Sequence, residues 1–242
     1  MKVKVLLFAS CQDIVNRREV ELEVPEGSTA GDVVDHLCEA YPRLSNLRGR
    51  MALSVNAEYV AAEAVLKPGD TLALIPPVSG GCRGDRPVAP AEGLFFTMKE
   101  DVYRITEEPI RPDALFDLVR SDADGAVVTF AGVVRDNSLG RETEHLVYDA
   151  YREMAERKLR EIGTEIKAKW GLDRVAVLHR VGRMEIGEIS VLVAVASPHR
   201  REAFEACHYA IDRLKQTAPI WKKEVWTDGE TWVEGARPAG NA

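Results

Sequence analysis

The sequence predicts an α+β protein of two domains, and three observations carry that reading. A proline- and glycine-rich stretch with almost no apolar bulk, residues 82–93, interrupts a chain of 242 residues that is 45% hydrophobic. Before it, short strand-like runs surround one helical run. After it, strands mix with longer helical segments. A chain of this length can bury two ordinary cores.

In the first domain, residues 1–81, the apolar run at 3–9 reads as a buried strand. Its uncharged core is shorter than the roughly 7–15 residues of a secretory signal. Val20, Leu22 and Val24 alternate with Glu19, Glu21 and Glu23, the period of a half-exposed strand. Thr29 is placed to cap a helix, with Asp32 three residues on and Val33, Val34, Leu37 and Tyr41 on one face. Strands follow at 52–55, 59–60 and 71–75. Two strands, a helix and further strands in this order describe a β-grasp, ubiquitin-like domain. Pro76 and Pro77 end the last strand and are expected to send the tail outward. The linker at 82–93 can span at most about 40 Å.

The second domain, residues 94–242, opens with a strand at 101–105 and a helix at 112–120 that has Pro112 in its first turn. Strands are expected at 125–134 and 145–150. Ala155, Leu159, Ile162, Ile166 and Trp170 then recur at helical spacing. Strands at 174–181 and 189–196, a helix at 198–215, and strands at 221–226 and 231–234 complete the chain.

The net charge is −7 and both halves share the acidic excess, which argues against nucleic-acid binding. No stretch approaches the ~20 apolar residues of a membrane span. Cys11, Cys38, Cys82 and Cys207 are widely spaced, which gives neither a zinc motif nor a disulfide framework and suits a reducing cytoplasm. Any anion site must be built from a few placed cations.

Four segments carry chemistry. Pro76-Pro77-Val78-Ser79-Gly80-Gly81 ends the first domain in two residues without side chains, able to enter a narrow channel or to act as a simple hinge. At Ser197-Pro198-His199-Arg200-Arg201 a strand meets a helix, with Ser197 placed as cap and Pro198 as first residue. The helix dipole with His199 and Arg200 suits a phosphate, or the segment is a solvated basic helix start. His199 and His208 lie on opposite faces, so no metal pair forms there. Phe204, Cys207, Ile211 and Leu214 read as the apolar face of that helix, with Lys215 at its end. Beyond Pro219, Lys222 and Glu224 share a strand face between Trp221 and Trp226. Two lysines converging near other cations can handle protons, or all of them, Lys223 included, are surface charges. Finally, Gly132 near a strand end with Arg135 beyond it permits close approach of a ligand.

Together these residues resemble molybdopterin synthase with its small and large subunits fused. The motifs are the terminal Gly80-Gly81; Asp124 to Phe130 with Gly132 and Arg135; His179-Arg180-Val181-Gly182; Ser197 to Arg200; and Leu214-Lys215 through Pro219 to Glu224. The resemblance implies a ubiquitin-like sulfur carrier joined to an α/β hammerhead-type catalytic domain that forms a homodimer. It implies sulfur transfer from a glycine thiocarboxylate at Gly81 to cyclic pyranopterin monophosphate, with Lys215 and Lys222 as catalytic lysines. Val133, Val134, Arg135, His199, Arg200, Lys223, Glu224 and Arg237 correspond to substrate-pocket positions. No bound metal or cofactor is implied. The junction departs from the family, since Gly81 is in peptide linkage to Cys82. Either a protease cuts after Gly81, which is the favoured route, or the Gly81-Cys82 amide is opened chemically, or the fusion cannot carry sulfur; loading also calls for an adenylating, sulfurating enzyme. A non-enzymatic β-grasp modifier or docking module released from a precursor, and sulfur transfer to another phosphorylated heterocycle, are the competing readings.

Overall fold

The computed structural model describes residues 1–77, 103–138 and 140–233. The linker, Gly80, Gly81, Cys82 and Arg237 lie outside the described residues.

The first domain runs β1 (Lys2–Leu7), α1 (Ala9–Val15), β2 (Glu19–Glu23), α2 (Ala30–Ala40), a 3₁₀ turn at Pro42–Asn46, β3 (Ala52–Val55), β4 (Glu58–Val60) and β5 (Thr71–Ile75). Its sheet order is β2-β1-β5-β3-β4, with the central β1 and β5 parallel, the β-grasp arrangement expected. Thr29 caps α2 as its sequence indicated: Thr29 Oγ1 accepts from the Asp32 amide at 3.2 Å, and the Asp32 carboxylate accepts from the Thr29 amide at 2.8 Å. The helix α1 was not expected. The first strand stops at Leu7, Ala9 takes a positive φ of 45°, and the chain turns into a helix that buries Cys11 and Val15.

The uninterrupted apolar run of β5 follows from burial on both faces. Leu72 and Leu74 pack under α2, while Ala73 and Ile75 face the second domain.

The second domain runs β6 (Tyr103–Thr106), α3 (Pro112–Val119), β7 (Ala126–Val133), β8 (Asn137–Ser138), β9 (Arg141–Ala150), α4 (Arg152–Trp170), β10 (Val175–Arg180), β11 (Gly182–Glu185), β12 (Ile189–Ser197), α5 (Arg200–Thr217), β13 (Ile220–Trp226) and β14 (Gly229–Trp232). One sheet has the order β6-β10-β12-β7, the other β11-β9-β13-β14, with β8 paired to β9. Strand β12 is covered on both sides. Val191, Val193 and Val195 face α4 and α5, and Leu192, Ala194 and Ala196 face α3.

Two local expectations are corrected. Ser197 ends β12 instead of capping α5, whose N-cap is His199; the Ser197 hydroxyl accepts from the His199 amide at 3.2 Å. Phe204 is 62% exposed. It shares the azimuth of Ile211 but lies two turns, about 10 Å, nearer the helix start, where no described element covers it. The helix seats instead on Ala203, Ala206, Cys207, Ala210, Ile211 and Leu214.

The domains meet in an apolar seam. Phe8 is sandwiched between Tyr151 and Trp221, with ring centroids at 4.9 and 5.2 Å and interplanar angles of 25° and 13°. Trp221 Nε1 donates to the Pro76 carbonyl at 2.9 Å. Around the rim, Arg18 pairs with Asp149, Lys223 and Trp232 both donate to Asp13, and Arg157 reaches the Ala57 carbonyl. Pro76 and Pro77 end β5 and are both buried, Pro76 with its carbonyl on Trp221; the tail expected to run outward beyond them lies outside the described residues.

Candidate active site

Where the two sheets of the second domain meet the end of α5, they enclose a cavity of about 520 Å³. Strand period explains who lines it. Along β13, Lys222 and Glu224 point into the cavity, whereas Trp221 and Lys223 point to the first domain. Lys215 arrives in the last turn of α5, which ends at Thr217 because Ala218 turns extended before Pro219.

Lys222 Nζ donates to Glu224 Oε1 at 2.7 Å, and Ser138 Oγ donates to the same oxygen at 2.9 Å. The direct hydrogen-bond partner of Lys222 is thus an anion, while Lys215 and Arg135 line the same cavity, as the sequence led us to expect for the lysines. Glu224 is only 2% exposed, and its second oxygen, Oε2, has no partner among the described residues.

Gly132 keeps the wall thin: a Cβ there would stand 2.6 Å from Val191 Cγ1. The carbonyl of Gly132 accepts from Ser190 Oγ at 3.1 Å. His179 lines the cavity with its Nδ1 2.8 Å from the Arg180 carbonyl. A carbonyl only accepts, so that partner assigns the proton to Nδ1. Burial pushes the imidazole down to about 4, which leaves it neutral near neutral pH. Its ring meets Tyr148 edge-on at 5.0 Å, and burial likewise raises the Tyr148 phenol.

Of the residues singled out from sequence, Val133, Arg135, Lys215, Lys222 and Glu224 converge on this cavity. Val134 points away and packs with Leu146 and Met184. Lys223 is held by Asp13 and Glu230 on the opposite strand face. His199 and Arg200 sit at the far end of α5, fifteen residues and about 22 Å of helix from Lys215. Ser138, Tyr148, His179 and Ser190 also line the cavity without having been singled out as site residues. The signal available for His179 was its place in the His179-Arg180-Val181-Gly182 motif. Among the described residues no cluster of three His, Cys, Asp or Glu stands ready to hold a metal, and no helix is long and apolar enough to cross a membrane.

The family model for the MoaE protein matches residues 105–217, and that of the ThiS family matches residues 5–81. The molybdopterin synthase catalytic subunit of Halalkalibacterium halodurans is 48% identical over 131 residues, covering 54% of this chain and 84% of that protein. That of Bacillus subtilis is 47% identical over 131 residues, covering 54% and 83%. The crystal structure of molybdopterin synthase from Staphylococcus aureus superposes with a TM-score of 0.53 at 45% identity, covering 55% of this chain and 96% of the other. A role in molybdenum cofactor biosynthesis follows from these likenesses.

Proposed function

The chain belongs to the molybdopterin synthase catalytic-subunit family, and from that premise we propose that it moves sulfur from a thiocarboxylate on Gly81 to cyclic pyranopterin monophosphate. The product is the dithiolene of molybdopterin. The observation that carries this reading is the seat of the carrier domain. The Pro76 carbonyl is fixed by Trp221, whose neighbour Lys222 already lines the cavity. Gly81 lies five positions beyond Pro76, enough to span about 17 Å when extended. The anchored Pro76 supports a reading in which the tail serves the two lysines of its own chain.

In each transfer the thiocarboxylate sulfur attacks a side-chain carbon of the substrate and displaces oxygen. Water then releases the carrier as a carboxylate. Lys215 and Lys222 stabilise the developing negative charge and move protons to and from the oxygens that depart. Glu224, itself held by the Ser138 hydroxyl, fixes the Lys222 ammonium, so it needs no reordering as charge develops. Gly81 becomes a free end through a protease cutting before Cys82, and an adenylating, sulfurating enzyme loads it in a reducing cytoplasm.

The second domain forms a homodimer in this reading. Arg135 supplies the in-chain cation for the phosphate, and His199 and Arg200, too far from their own cavity, serve that of the second copy. The exposed Phe204, Phe130 and Val133 support an apolar contact between copies. The experiment is steady-state kinetics of Arg200→Ala with thiocarboxylated carrier. Losing one charge-assisted contact of about 1.5–3 kcal/mol raises KM roughly tenfold to hundredfold. An unchanged KM places the phosphate elsewhere. A non-enzymatic docking module would give no reason for Lys215, Lys222 and Glu224 to share one cavity.

A further inference from the structure

The hydrolysis that frees the carrier needs a group to take a proton from water, and few of the cavity walls can. Arg135, Lys215 and Lys222 line the cavity as cations, which donate and do not accept. The Glu224 carboxylate is closed off: Oε1 takes Lys222 and Ser138, and Oε2 is buried out of contact with solvent. Asn137, Ser138, Thr143 and Ser190 carry only amide or hydroxyl groups, which are weak bases. Burial keeps the Tyr148 phenol protonated. His179 differs from all of these among the described lining residues. Its Nδ1–H is committed to the Arg180 carbonyl, so Nε2 carries the free lone pair. Unlike Glu224 Oε2, Nε2 is not sealed away, and it has no partner among the described residues. The sheet sets the ring near the lysines. Tyr148 is the register partner of Lys222 across β9 and β13, and the His179 ring meets Tyr148 edge-on at 5.0 Å.

We propose that His179 is a further catalytic residue, the general base that activates the water releasing the carrier. The inference rests on the function proposed above, in which each attack leaves Gly81 joined to the substrate sulfur as a thioester. A water held on Nε2 gives up one proton to it as the water oxygen bonds to the Gly81 carbonyl carbon. The C–S bond then breaks, and its electron pair stays on the substrate sulfur as a thiolate. The new carboxylic acid loses its proton to solvent, and the imidazolium returns its own proton to solvent water. No oxidant or reductant enters. Burial, which holds the imidazole down to about 4, keeps the base free of protons near neutral pH and speeds its return after each turnover. Lys215 and Lys222, on the same cavity, oppose a lasting positive charge on the ring and favour the thiolate.

The test is a single turnover of the full protein, cut after Gly81 and thiocarboxylated, with cyclic pyranopterin monophosphate. Rapidly quenched samples are read by intact mass. In the wild type the carrier fragment passes from thiocarboxylate to carboxylate with little adduct between. His179→Gln keeps a hydrogen-bonding side chain without a base, so it should attack the substrate and then stall. The carrier fragment joined to the substrate accumulates, and its release slows by about 10²-fold or more. Hydroxylamine, a nucleophile that opens thioesters without a protein base, should free it. A merely structural loss would instead slow the disappearance of the thiocarboxylate and give no adduct. That result overturns the assignment, as does release at the wild-type rate, and either leaves the proposed function standing. Should His179→Gln not fold, the wild type decides in D₂O, where the adduct lives longer if water gives up a proton as it attacks; an unchanged lifetime overturns the assignment. If the wild type transfers no sulfur to this substrate, the proposed function fails, and this inference with it.

Discussion

Truncating Phe8 to alanine asks whether the two domains form one energetic unit. Phe8 belongs to the first domain, is 4% exposed, and lies between Tyr151 and Trp221 of the second. Removing a buried phenylalanine costs about 3–5 kcal/mol. Two stacked ring pairs, each worth about 0.5–1.5 kcal/mol beyond area burial, put this site toward the upper end. All four tryptophans, at 170, 221, 226 and 232, lie in the second domain, Trp221 and Trp232 at the seam and Trp170 and Trp226 away from it, so single-tryptophan variants keeping Trp170 or Trp226, with phenylalanine at the other three positions, follow the unfolding of that domain in urea. If docking stabilises it, Phe8→Ala lowers the midpoint of that transition by roughly 1–2 M urea, taking a slope near 3 kcal/mol per molar. An unchanged midpoint would refute the reasoning: the seam would be contact without coupling, and the domains would unfold independently.

Lys215→Ala should lower sulfur transfer by about 10²–10⁴-fold with the fold intact, and Lys222→Ala comparably, measured with thiocarboxylated carrier; wild-type turnover by either removes that lysine from the chemistry. Gly132→Ala should destabilise by about 1–3 kcal/mol and narrow the cavity, since its Cβ would stand 2.6 Å from Val191 Cγ1; an unshifted thermal midpoint with unaltered substrate affinity contradicts this. His179 is depressed from 6.5 to about 4 by burial, so between those values the unfolded chain binds a proton that the folded one refuses. Stability from this group is therefore whole above about pH 6.5 and is lost as pH falls toward 4, by roughly 3 kcal/mol. Comparing urea midpoints at both pH values, His179→Gln should lose less than the wild type by about that amount, and an equal loss refutes the assignment.

Features set by neighbours in sequence were legible before the structure. The Thr29 and Asp32 cap and the four-three-four-four spacing of α4 are local, and both formed where the residues said. The same holds for the alternation that puts Lys222 and Glu224 on one face of β13. What escaped depends on distant partners. Phe8, Tyr151 and Trp221 sit at the edges of their elements and pack only because the domains dock, across 143 and 213 positions of chain. The short α1 offers too few residues for a helical period to stand out. Phe204 fitted the apolar stripe of α5 by spacing, yet a stripe does not say how far along the helix the cover extends. Lys223 looked like a pocket residue beside Lys222, but adjacent strand residues point to opposite faces, and it was claimed by Asp13.

The central claim is that Gly81 carries the sulfur into the cavity of Lys215 and Lys222. Its most direct test is a single-turnover reaction of the native protein with cyclic pyranopterin monophosphate, with intact mass recorded on the same sample before and after. The account predicts a first-domain fragment ending at Gly81 that bears one sulfur in place of oxygen and loses it as molybdopterin forms, two fragments spent for each molybdopterin, and predicts no product when Cys82→Pro blocks the cut. Molybdopterin formed at the normal rate by an uncut chain supplied with sulfide would contradict it.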